Sequence, residues 1–71
     1  MNAATGLWPR MRHVLERHHA LSARQIAEHV GRATHQVRAS LTWRAKRSEV
    51  IRVLPPTGPL LWRLLREEER S

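Results

Sequence analysis

Cysteine is absent from the 71 residues, and that omission sets the terms on which so short a chain can fold. A domain of this size buries only about 60% of its unfolded surface. Neither a disulfide nor a thiolate metal site is present to reinforce it. The core must therefore come from the apolar residues, 41% of the chain, packed as one domain. Oligomerisation is the natural supplement. Asp and Tyr are missing as well, which excludes a Ser-His-Asp triad and an Asp-built magnesium site. The internal carboxylates Glu16, Glu28 and Glu49 lie far apart in sequence, so no enzymatic activity, cofactor or small-molecule ligand is expected. His13, His18, His19, His29 and His35 do not follow a zinc-ligand spacing, and no metal is expected. A milder expectation is that histidine protonation tightens binding to nucleic acid.

Charge points to a polyanionic partner. Lys and Arg total 13 against 6 Asp and Glu, for a formal charge of +7. All of the basic residues but Lys46 are arginines, whose planar fork matches phosphate and guanine edges. Half of the acids, Glu67 to Glu69, cluster at the C-terminal end. No apolar run is long enough to span a membrane. Residues 1–6 do not read as a secretion signal, and the lack of Cys fits a reducing, intracellular setting.

Apolar spacing divides the chain into three helices and a hairpin. Trp8, Met11, Val14 and Leu15 recur at helical spacing, predicting a first helix over about 8–18, with Thr5 or Gly6 as its cap and Pro9 in its first turn. Ser22 with Gln25 three residues on is a capping box for a second helix over 23–30. Gly31 follows its last apolar residue, where a helix stop favours positive φ. Thr34 is the expected cap of a third helix over 35–47, whose inner stripe is Val37, Leu41 and Ala45. From Arg32 to Arg47 there is no acid. Val50–Leu54 and Leu60–Leu64 read as strands around a Pro55-Pro56-Thr57-Gly58-Pro59 turn. The expected organisation is a flexible tail over 1–6, a domain over 7–65 and a charged tail over 66–71.

This order carries a resemblance. Ile26-Ala27, Val30-Gly31, Val37, Leu41, Val50 and Leu61-Trp62-Arg63-Leu64 make residues 21–64 resemble the winged helix-turn-helix domains of bacterial regulators, of the MarR-like and IclR-like kind. The fold implied is α+β, mainly α: a three-helix winged helix-turn-helix with a C-terminal β-hairpin wing. Two positions depart from the family pattern. Ser48 stands where a glycine is usual before the wing. Arg44 stands seven after Val37, where an apolar residue is preferred, so its stem is expected to lie along the core with its tip in solvent.

The resemblance implies sequence-specific binding of double-stranded DNA by a small regulator of bacterial, phage or plasmid type, acting in the cytoplasm. The third helix, about 34–47, would enter the major groove by its N-terminal half. With Val37 facing inward, Thr34, His35, Gln36, Arg38, Ala39 and Thr42 are the base-facing candidates. Gln36 suits adenine and Arg38 guanine, or equally a phosphate. Ser22, Arg32, Arg44, Lys46, Arg47, Arg52 and Arg63 are the phosphate candidates, and a solvated charged face is the alternative for each. The wing is Pro55, Pro56, Thr57, Gly58 and Pro59. Its Pro-Pro run resembles that of Z-DNA-binding winged helices, but their Lys, Asn and Tyr are replaced here by Thr34, Arg38 and Thr42.

Trp8 and Trp62 are assigned to the core. Trp43 lies off the apolar stripe, with helix one, a second copy or a DNA sugar as open partners. Three other functions compete. Winged helices also dock proteins, which would use Trp43 and helix one. A tryptophan can stack on unpaired bases of RNA or single strands. A basic amphipathic membrane-surface binder is disfavoured by the compact wing pattern. A palindromic target would imply a homodimer.

Overall fold

The computed structural model describes residues 6–69. Helix α1 (Leu7–Arg17) is followed by the short strand β1 (Leu21–Ser22), helices α2 (Ala23–Val30) and α3 (Thr34–Lys46), and strands β2 (Val50–Val53) and β3 (Leu61–Leu64). A 3-10 turn over Glu67–Glu69 ends the described chain. The result is a small α+β domain, mainly helical, with a three-stranded antiparallel sheet in the order β1-β3-β2. Among the described residues no helix is long and apolar enough to cross a membrane.

Local chemistry accounts for most boundaries. The Ser22–Gln25 capping box is formed: the Gln25 N–H donates to Ser22 Oγ at 3.1 Å, and the Ser22 N–H donates to Gln25 Oε1 at 2.9 Å. Two N–H groups that α2 could not satisfy internally are thereby paired. Gly31 ends α2 at φ 71°, its N–H donating to the Ala27 carbonyl, in the left-handed conformation that costs glycine little. Thr34 is not the cap of α3. Ala33 takes that extended position (φ −68°, ψ 145°) and has no side-chain acceptor to offer. The chain turns helical one residue earlier than expected, and the Ala33 carbonyl accepts from Gln36 and Val37 N–H instead. Gly6 precedes α1 without a side-chain cap, and Thr5 lies outside the described residues, as does most of the expected N-terminal tail.

Ser48 sits at φ 62°, directly after the last turn of α3. The Glu49 N–H donates to the Arg44 carbonyl across it at 3.0 Å. A non-glycine residue held there stores about 1–2 kcal/mol of strain, which explains why glycine is usual at such a position.

The core brings all the elements together. Met11 and Leu15 of α1, Leu21 of β1, Ala23, Ile26, Ala27 and Val30 of α2, Val37 and Leu41 of α3, Val50 of β2 and Trp62 of β3 are buried. Trp8 packs half-buried against this cluster. In the β2–β3 ladder Val50 faces Leu64 and Arg52 faces Trp62, while Ile51 faces Arg63 and Val53 faces Leu61. Alternation along each strand therefore puts Val50, Trp62 and Leu64 toward the helices. Leu54 and Leu60, expected as strand ends, fall outside the ladder, flanking a loop that carries prolines 55, 56 and 59. Strand β1 was not expected. Leu21 and Ser22 pair with Trp62 and Leu61, a contact two residues long and too short to leave any periodicity in the sequence.

Candidate nucleic-acid interface

Helix α3 presents two different sides. Val37 and Leu41 are fully buried and Ala45 is half-buried. His35, Gln36, Arg38, Ala39, Thr42, Trp43 and Lys46 are exposed, and Thr34 is partly so. Residues three and four apart share a helix face, so His35, Arg38, Thr42 and Lys46 form one row, with Ala39 beside it. Thr42 Oγ1 donates to the Arg38 carbonyl at 2.9 Å, which uses its proton within the helix. Of the six expected base-facing residues, His35, Arg38, Ala39 and Thr42 share this outer side, Gln36 is exposed on the flank toward Trp43, and Thr34 is partly buried in line with Val37 and Leu41 at the start of α3.

The expected phosphate contacts divide into two sets. Among the described residues no carboxylate pairs with Arg32, Arg38 or Lys46, and all three are exposed. Arg52 is exposed too, its guanidinium 6.0 Å from the centre of the Trp62 ring. The other set is engaged inside the domain. Ser22 is buried, and its hydroxyl is turned onto the Gln25 N–H, which takes it out of reach of a phosphate. Arg44 was expected to keep its tip in solvent. Instead it is half-buried, donates to Glu49 at 3.0 Å and lies 4.6 Å over the Trp8 ring. Its Nε is buried without a partner among the described residues. Arg47 donates to the other Glu49 oxygen at 3.1 Å but remains more than half exposed, 5.8 Å over Trp43. Burial pushes the Glu49 carboxyl up, yet the Arg47 and Arg44 hydrogen bonds together outweigh it and hold the group below its ordinary value.

Arg63 is clasped by the C-terminal turn, its two terminal nitrogens donating to both Glu69 oxygens at 2.9 and 2.8 Å. The Arg66 N–H adds a third hydrogen bond to Glu69. Part of the expected charged tail therefore folds back on β3, and residues 70–71 lie outside the described residues. Arg63, then the Arg66 N–H, holds the Glu69 carboxyl down to about 2 from an ordinary 4.5. Because the folded value is the lower one, the clasp contributes stability above about pH 4.5 and loses it as pH falls toward 2. The Glu69 carboxyl resonance is expected to titrate near 2 in low salt. A midpoint near 4.5 would mean that the clasp is open in solution.

Sequence reasoning passed over Glu49 and Glu69, the two carboxylates that decide which arginines stay available. Their partners are two and five residues away for Glu49 and six for Glu69, and outside a helix no fixed spacing signals such pairs. Trp43, left open between several partners, is 55% exposed and stands on the outer side of α3 next to Ala39 and Lys46.

The loop over 54–60 turns at Gly58, φ 99°, and Leu54 at its base is 82% exposed. No group of three metal-ligating side chains converges among the described residues. Comparison with known proteins finds no matching family model, no matching curated protein and no matching solved structure.

Proposed function

We propose that the chain is a winged helix-turn-helix module that binds double-stranded DNA sequence-specifically, with α3 in the major groove. The observation that carries this reading is the two-sided α3. Its inner side is locked into the core by Val37 and Leu41, while its outer side offers His35, Gln36, Arg38 and Lys46 in a stretch with no acid from Gly31 to Arg47. A rigid helix that projects uncompensated cations and bidentate donors matches the width and chemistry of the major groove. Thr34, His35, Gln36, Arg38, Ala39 and Thr42 face bases in this reading. Arg32, Lys46 and Arg47 meet phosphates, Arg47 by exchanging Glu49 for the backbone. The loop at 55–59 serves as the wing, and its reach to the backbone rests on Arg52, Thr57 and main-chain groups, since Arg63 is held by Glu69.

The test starts from duplexes selected out of a random pool. Arg38→Ala is expected to lose about 1–3 kcal/mol against the selected sequence and to narrow its advantage over random DNA. Lys46→Ala is expected to weaken both alike and to lower the salt slope by about 1. Unchanged duplex affinity in both variants would overturn the assignment of α3.

A second reading is favoured by Trp43 and Leu54, large apolar side chains in solvent: the module docks a protein. It requires Trp43→Ala to abolish a protein contact while the arginines of α3 are dispensable.

A further inference from the structure

The DNA-binding reading makes no use of a groove between α1 and α2. Its volume is about 400 Å³ and it is lined by His13, Val14, Arg17, His18 and His29. A neighbouring cleft shares His13, Val14 and His29 and adds Arg10. No residue of α3 lines either cleft. The His18 and His29 rings are 5.1 Å apart, tilted by 44°. His18 caps the C-terminus of α1 and His29 lies in the last turn of α2. No carboxylate lines the groove. The two nearest in sequence are turned to other partners, Glu16 to Arg12 at 3.3 Å and Glu28 to Arg24 at 3.7 Å. Beyond His18 a cleft toward β3 is lined by His19, Arg63, Arg66 and Glu16, and Glu16 with Arg12 also lines a cleft on the far side of His13.

We propose that this α1–α2 groove is a phosphate-binding site, separate from α3, whose affinity rises as His13, His18 and His29 take up protons. Arg10 and Arg17 supply permanent charge. Imidazole is the side chain that changes charge between about pH 5 and 8, and each one that protonates here adds a donor and a positive charge facing the same space. The carbonyl ends of α1 and α2 favour a cation at His18 and His29. Two imidazolium rings 5.1 Å apart also repel each other, and an anion bound alongside both rings offsets that repulsion. Phosphate binding and proton uptake are therefore coupled, each promoting the other. The phosphate could be a free polyphosphate or a nucleic-acid backbone, since both present the same group.

Inorganic pyrophosphate titrated into the full chain, with the histidine ring resonances followed by NMR, tests this. The expected result is movement of the His13, His18 and His29 signals, with affinity about tenfold tighter at about pH 5.5 than at about pH 8. The double variant His18→Gln, His29→Gln should lose most of that pH dependence, with His13 keeping the remainder, while Arg38→Ala should keep it whole. Pyrophosphate that moves α3 signals and leaves the groove signals still would overturn the proposal. So would full pH dependence in the double variant, or equal affinity at both pH values. A duplex arm separates the two sources of phosphate. If the same histidine signals move with DNA and pyrophosphate competes, the groove takes a backbone phosphate; if they move with pyrophosphate alone, it takes free phosphate. Because the pyrophosphate arm contains no DNA, its failure leaves the role of α3 untouched, and failure of α3 to bind DNA leaves the groove untouched.

Discussion

Leu41→Ala is expected to destabilise the domain by about 2–5 kcal/mol, the range for emptying a fully buried leucine site. Leu41 has no solvent exposure and shares the core with Val37, Ile26 and Met11, which are equally enclosed. A chain of 71 residues without a disulfide holds a stability of only about 3–5 kcal/mol in its core, so the loss approaches the whole and the variant should be largely unfolded at 37 °C. Thr42→Ala, one residue further along, is the matched control. Thr42 is exposed and its hydroxyl bonds back to the Arg38 carbonyl, and alanine favours helix by a few tenths of a kcal/mol, so its stability should change little or rise slightly. Urea unfolding followed by circular dichroism compares the two. A Leu41→Ala midpoint equal to that of the parent chain would show that this side of α3 does not face the core, and the orientation of Arg38 and His35 would fall with it.

The second large effect is on salt. If α3 and the wing hold a duplex, the cations placed to meet phosphates are Arg32, Lys46, Arg47 and Arg52, with Arg38 on a base and Arg44 and Arg63 retained by Glu49 and Glu69. Each neutralised phosphate contributes about −0.9 to the slope of log affinity against log salt. Four contacts give a slope of about −3.6 and a loss of about 150-fold between 50 and 200 mM salt. Six contacts, with Arg44 and Arg63 released, would give a slope of about −5.4 and a loss of about 1800-fold. Fluorescence anisotropy with a labelled duplex across that range measures the slope. A flat response would rule out phosphate-dominated binding, and a slope of about −5.4 would mean that both clasps open on the duplex.

The residues that make α3 a candidate reading helix were legible in the chain itself. Val37 and Leu41 set its inner stripe, and that alone decided that Arg38 and Thr42 point the other way. The capping box at Ser22 and Gln25 and the stop at Gly31 were equally legible, because each is a hydrogen-bond or backbone preference complete within three or four residues. The start of α3 was misplaced by one residue for a local reason. Thr34 is the better cap by composition, but the chain leaving Gly31 is already extended at Ala33 and turns helical there.

Helix spacing, caps and the acid-free run from Arg32 to Arg47 are properties of neighbouring residues, and the linear order of side chains was enough to determine them. Only the folded chain decided which cations remain free, because Glu49 meets Arg44 and Arg47 across the left-handed turn at Ser48, and Glu69 meets Arg63 where the C-terminal turn folds back on β3. It also decided that Leu21 and Ser22 become a strand, since their partners Leu61 and Trp62 lie some forty residues on, and that His13, His18 and His29 meet across two helices. The physical reason is range. Helix caps and stripes follow fixed spacings within a turn or two, the ion pairs outside helices follow no fixed spacing, and strand edges and grooves form between segments that only the buried core brings together.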